Sequence, residues 1–365
     1  MENQLKQLIA AIATADESAV AAAKARQDSL AKPPHSLGKL EDISVKLAGI
    51  TGQLYNPVDK RRVIIFASDN GIAHEGVASA PQSVTLAQTI NFTRGLTGVA
   101  VLAKHFGAEL DVVDMGIDAD FVQPGVTDRK IAHGTKNFAR EPAMSRKECL
   151  QAMLTGVERA KLAKAQGMEV VGIGEMGIGN TSTSSAVLSV LLDLPAAETV
   201  SRGAGINDES YRRKVRLIDE AIARYNPDPA DPVDVIAKVG GFDIAAMCGA
   251  FLGAAAEHLP VVIDGFISAV AALCAYRLCP LSADYMFPSH MSREKGYMLA
   301  MDAMSLQPML NLDMRLGEGS GCPIAFEVMA AAESVIRNMA TFGEAAINDD
   351  YLAEIRPNKR YQGEA

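Results

Sequence analysis

Two glutamates stand in turns where a charged group is uncommon. Glu318 lies in "DMRLGEGSGCPIAFEVM" (313–329), with a glycine on each side, a third close behind and a long apolar run after it. Glu175 lies in "GIGEMGIGNTSTSSAVLSVLL" (172–192), where an apolar run meets a glycine-rich turn and then a helix-like stretch. Desolvation raises the pKa of a carboxylate in a partly dry cleft, which suits proton removal near neutral pH. Either glutamate alone reads most simply as a solvated loop residue. Two of them, each directly after a strand-like run, read as a pair converging over one sheet edge.

The 172–192 stretch also presents strand, turn and helix start in the order that aims backbone N–H groups at an anion. An ordinary tight turn with an Asn-Thr-Ser cap is the alternative. It is neither the full dinucleotide fingerprint, G-x-G-x-x-G followed by its distant acid, nor a P-loop. In "SRGAGINDESYRRKVRLIDEAI" (201–222), Gly203 and Gly205 precede a helix carrying Arg212, Arg213 and Lys214. A glycine turn plus a lysine one turn into the helix is a phosphate-holding combination. Solvation of an outer helix face is the other reading of those cations. The six histidines are scattered without metal-ligand spacing, so no metal site is expected. His290 in "PSHMSREKG" is a candidate polar pocket group, with an ordinary loop histidine as the simpler reading.

These groups need a scaffold. Short β-branched runs recur at 62–68, 109–117, 168–174, 259–265, 281–287 and 308–314. Helical patterns fall at 84–106, 145–166, 180–193, 207–225, 243–257, 266–278, 294–305 and 322–342. Such alternation predicts an α/β fold with a mostly parallel, doubly wound (Rossmann-like) sheet. Several runs are apolar throughout, as strands covered on both faces are. Residues 2–26 read as one helix, and a second restarts near Ser36 after Pro33-Pro34. The early helices and the last residues lack strand partners. They predict a small helical subdomain (1–55 and 343–365, with part of the C-terminal helices) beside a large α/β domain (56–342). Ligands of such sheets bind beyond the carboxyl ends of the strands, which selects "SDNGIAHEG", "DMGI", "GEMGIGNTSTSS", "DGFIS", "PSHMSREKG" and "RLGEGSG".

The chain has 365 residues, 48% hydrophobic and 22% charged, a normal globular balance. A formal charge of −9 with no basic stripe argues against a nucleic-acid partner. The five cysteines show no C-x-x-C pairing and read as small buried hydrophobes. "VVIDGFISAVAALCAYRLCPL" is interrupted by Asp264 and reads as a buried strand and helix rather than a membrane span. No signal-peptide pattern is found, and a cytoplasmic location is expected.

The motifs "PPHSLGKLE", "SDNGIAHEGV", "PQSVT", "GIGEMGIGNTSTSSAV", "GGFDIAAMCGAFLGAA", "VVIDGFISAVAAL", "SHMSREKG" and "LNLDMRLGEGSGCPIAFEVM" run in order from about residue 30 to 345. Together they resemble the nicotinate-nucleotide–dimethylbenzimidazole phosphoribosyltransferases of cobamide assembly. The resemblance implies that nicotinate mononucleotide and a lower-ligand base give an α-ribazole phosphate and nicotinate, with no cofactor and no metal. It implies Glu318 as the catalytic base and Glu175 as its associated carboxylate. Nucleotide and phosphate contacts would be Gly177, Gly203, Gly205, Lys214 and Ser292; base contacts would be Ala80, Val84, Gln88 and Leu316. It further implies a homodimer, or a heterodimer with a paralogue, whose sites lie near the subunit interface.

The sequence departs from the family pattern at Ala80, where many members have an aromatic residue, at Asn70, at "GLTG" (95–98) and at "SRGAG". The first three flank the base pocket or interface, so the resemblance speaks to the reaction and leaves benzimidazole, purine or phenolic bases open. Two other readings stand beside it: a non-catalytic nucleotide-binding paralogue or partner subunit, and a nicotinamide-cofactor dehydrogenase, which lacks its fingerprint after the first strand.

Overall fold

The structure, a computed structural model, describes residues 1–203 and 205–352. The expected helical segment at 343–365 therefore lies partly outside the described residues. The strands are β1 (Arg61–Ser68), β2 (Glu109–Gly116), β3 (Val126–Asp128), β4 (Val170–Met176), β5 (Val261–Ile263) and β6 (Met286–Pro288). They form one sheet in the order β3-β2-β1-β4-β5-β6, with every pair parallel. The helices are α1 (Glu2–Ala10), α2 (Glu17–Ser29), α3 (Lys39–Thr51), α4 (Ser83–Arg94), α5 (Gly98–His105), α6 (Arg146–Ala165) and α7 (Asn180–Leu192). They continue with α8 (Ala196–Thr199), α9 (Asp208–Tyr225), α10 (Pro232–Val239), α11 (Phe242–Ala256), α12 (Phe266–Leu278), α13 (Gly296–Ala303) and α14 (Cys322–Asn338).

Every residue of β1 is buried because helices cover both faces of the sheet. α14 packs on β1, β4 and β5, and α11 on β1, β2, β4 and β5 from the other side. Side chains alternate along a strand, so Val63, Gly172 and Gly174 share the face toward α14. Glycine is required there: a Cβ on Gly172 would lie 2.4 Å from Cys322 Cβ. On Gly174 it would lie 2.6 Å from the Glu318 carbonyl oxygen. The two glycines let the turn carrying Glu318 rest directly on β4.

Several sequence expectations need correcting. The 308–314 run is not a strand; Leu310 makes only a single parallel bridge to His290. Of 281–287, only the end pairs, because Pro280–Tyr285 coils into a 3-10 turn. β3, just three residues, was not anticipated, nor were α8 and α10. The expected helix 84–106 breaks at Gly95, whose φ of 73° lies in the left-handed region. The first helix divides at Asp16, whose carboxylate accepts from Ala19 N–H at 2.9 Å and caps α2. α3 starts at Lys39 without a side-chain cap on Gly38.

The sequence-predicted strand and helix at 259–278 appear as β5 and the buried α12. All five cysteines are buried and free. Among the described residues no helix is long and apolar enough to cross a membrane. The strand order matches dinucleotide-binding sheets. Here, however, β1 runs into a 3-10 turn, Gly71–Glu75, rather than a helix that could receive a pyrophosphate.

Candidate active site

The strand order reverses between β1 and β4, and open parallel sheets bind ligands just beyond that point. A cleft of about 320 Å³ opens there. Glu175 reaches it from the carboxyl end of β4, and Glu318 from the turn before α14. Gly317, Glu318 and Gly319 have φ of 85°, 64° and 87°, three left-handed residues in a row. Glycine adopts that region without strain and glutamate does so rarely, so the flanking glycines carry the turn while Glu318 is held in it.

The turn is fastened by carboxylates beneath it. Glu318 N–H donates to Glu175 Oε1 at 3.2 Å. Gly319 and Gly321 N–H donate to the two oxygens of Asp264 at 2.9 and 2.7 Å. Above, Glu318 is 6% exposed and does not face bulk solvent. Its Oε1 accepts from Gln88 Nε2 at 2.6 Å, while Oε2 is buried without a partner. A Cβ on Gly98 at the start of α5 would lie 3.4 Å from that Oε2 and 2.5 Å from Leu316 Cδ2.

Glu175 sits in a different environment. Burial, with Asp243 close by, pushes its carboxyl up to about 8, against bonds from Glu318 N–H and the Asn180 amide that favour the charge. Burial raises Asp243 to about 7 and also raises Asp264, which His290 opposes. Near neutral pH this buried cluster therefore holds more protons than its composition suggests.

At the other end of the cleft, Lys214 is 2% exposed, and its Nζ donates to Thr181 Oγ1 at 2.8 Å. Burial lowers it to about 8, with Glu294 opposing the shift. It does not solvate an outer face; the neighbouring Arg213 pairs with Glu209, and Arg212 is exposed. Gly177, Gly203 and Ser292 line the same cleft. Gly205 does not line it, and a Cβ there would meet open space. Ala80, Val84, Gln88 and Leu316 border the Glu318 end. Val84 and Gln88, four residues apart on α4, share one helix face.

Sequence reasoning missed Asn180, Asp243 and Asp264 as members of the site, and it weighed His290 as a pocket group without choosing that reading. Asp264 and His290 lay in post-strand segments that topology had selected, but their burial cannot be read from local sequence. His290 is 1% exposed and lines the cleft, so it is not an ordinary loop histidine.

A parallel sheet with a cation-ended, carboxylate-bearing cleft at its switch point suits an enzyme that handles a phosphorylated sugar. The sequence model of a family described as Phosphoribosyltransferase matches residues 12–347, and the chain is accordingly a pentosyltransferase. Nicotinate-nucleotide–dimethylbenzimidazole phosphoribosyltransferase of Clostridium perfringens (strain ATCC 13124) is 52% identical over 357 residues, 98% of this chain and 99% of that protein. The enzyme of the same name from Clostridium tetani is 46% identical over 353 residues, 96% of this chain and 98% of that protein. The crystal structure of CobT from Thermus thermophilus superposes with a TM-score of 0.88 at 37% identity, covering 91% of this chain and 99% of that one. The chain belongs to the nicotinate-nucleotide–dimethylbenzimidazole phosphoribosyltransferase family.

Proposed function

We propose that this protein transfers the 5-phosphoribosyl group of nicotinate mononucleotide to a benzimidazole, purine or phenolic lower-ligand base for cobamide assembly. The observation that carries the reading is Glu318 held over Glu175 in a cleft with Lys214 at one end and apolar Ala80, Val84 and Leu316 at the other. The base nitrogen (or phenol oxygen) attacks C1′ while the bond from C1′ to the nicotinate ring nitrogen breaks. The breaking pair returns to the ring nitrogen, discharging its positive charge, so the leaving group needs no acid. The attacking group sheds a proton, and Glu318 Oε2, free of partners, receives it. A positioned general base contributes about 10²–10⁴-fold; alignment of the two substrates contributes more.

Gln88 orients the Glu318 carboxylate, and its own amide is turned by Asn91, whose Nδ2 donates to Gln88 Oε1 at 3.4 Å. Glu175 largely keeps its proton near pH 7, which limits charge repulsion and leaves Glu318 to take the reacting proton. Lys214 with Gly177, Gly203 and Ser292 receives the 5′-phosphate, with Gly205 supporting the turn. The phosphoribosyl donor carries no pyrophosphate, so catalysis is assigned no metal and no cofactor.

We read the protein as a cytoplasmic homodimer. Exposed Leu96, Val101 and Leu316 lie around the start of α5 at the open side of the base pocket, which supports a covering subunit. The proposed division into 56–342 and a unit of 1–55 and 343–365 has partial support: Ala19, Ala23, Val45 and Ala48 form a small cluster with Ile336 of α14, while Leu5, Leu8, Ile43 and Leu47 join the main core. The test is incubation with nicotinate mononucleotide and a panel of benzimidazoles, purines and phenols without added metal, with products identified by mass. A ribosyl phosphate of at least one base, equimolar with nicotinate, is expected; nicotinate release without any such product would overturn the reading.

A further inference from the structure

His290 lines the cleft with its hydrogen bonding fixed on one side of the ring and open on the other. The ring lies against the Glu318 turn, where a Cβ on Gly321 would stand 2.2 Å from Nδ1. Only a glycine at 321 admits the ring. Ser289 Oγ donates to the Asp264 carbonyl at 3.2 Å, so its lone pairs face His290 Nδ1 at 2.9 Å. The Asp264 carboxylate lies on the same side, 4.0 Å from Nδ1. Both neighbours accept there, which places the ring proton on Nδ1. In the neutral ring Nε2 is then a bare acceptor, and it is buried without a partner. A buried unpartnered acceptor in a cleft calls for a donor from the ligand.

We infer that His290 Nε2 accepts a hydrogen bond from a ribose hydroxyl of the phosphoribosyl donor. The inference rests on the function proposed above. Of the donor's groups, the phosphate and the nicotinate carboxylate are ionised acceptors near neutral pH, so the ribose hydroxyls are the O–H donors it offers. The placement agrees. His290 touches the Glu318 turn and stands two residues from Ser292, assigned to the phosphate, and the ribose must lie between phosphate and the reacting C1′. His290 is thus a binding and orienting residue for the sugar rather than a proton-transfer group.

The test compares nicotinate release from nicotinate mononucleotide and from its 2′-deoxy and 3′-deoxy analogues, in wild type, H290A and H290Q. Wild type is expected to disfavour one analogue by at least about tenfold in kcat/KM, the scale of a buried acceptor left unpaired. In H290A that preference should fall to near unity, and H290Q, which keeps an acceptor, should recover part of it. The ratio does not depend on the fraction of folded variant. Wild type without any preference, or H290A with the wild-type preference, overturns the inference while leaving the proposed transfer intact. Wild type that releases no nicotinate from the ribonucleotide overturns the transfer reading itself.

Discussion

Glu175 and Glu318 are both buried carboxyl groups, yet their surroundings ask different things of them. Glu175 has a folded-state value near 8 against an ordinary 4.5. Between those values the unfolded chain has released a proton that the folded chain keeps. The stability due to this group is therefore complete below about 4.5 and lost as pH rises through about 8. Glu175→Gln does not titrate, so its melting temperature should gain on wild type steadily from pH 5 to 8; a constant difference would mean Glu175 is charged throughout. Lys214 carries the opposite sign. It sheds its proton above about 8 rather than near 10.5. Calorimetric affinity for nicotinate mononucleotide should therefore weaken by about tenfold per pH unit above 8, and the slope should vanish in Lys214→Met. An affinity flat from pH 7 to 9.5 would remove Lys214 from the phosphate site. Glu318 and Glu175 stood out in the sequence because glycines mark their turns; Lys214, inside α9 among three cations, was singled out only by family likeness. Gln88 could be named only by family likeness, since the group it orients is far along the chain.

The turn that holds Glu318 depends on what β4 lacks. Gly174→Ala would drive a methyl into the Glu318 carbonyl. Overpacking of this kind costs about 1–3 kcal/mol. A lower urea midpoint is expected, together with slower nicotinate release at denaturant-free conditions where the variant is still folded. Full activity in a destabilised Gly174→Ala would show that the turn's position is not critical. The longer apolar runs announced β1, β2 and β4 because buried parallel strands are apolar throughout. The run at 308–314 is interrupted by Asn311 and Asp313, is half-exposed to exposed, and only bridges at Leu310. A few apolar residues in a row do not record whether a neighbouring strand edge is there to pair with. The same limit hid β3, which is short and half-exposed.

Order in the sheet decides where the candidate cleft lies: at the reversal between β1 and β4, six separate stretches of the chain come together to line it. The alternation of strands and helices foretold this class of sheet, and its pairing order came only with the structure. Exposed apolar side chains around α5 give the whole molecule a face suited to a second subunit. Val101→Glu should shift the mass in light scattering from dimer to monomer and slow turnover; an unchanged mass would place the interface elsewhere. The decisive comparison is base-dependent nicotinate release from nicotinate mononucleotide by wild type and Glu318→Ala, with matched circular dichroism. A fall of about 10²- to 10⁴-fold is expected, with nucleotide binding retained. Release by Glu318→Ala within about tenfold of wild type would contradict Glu318 as the base.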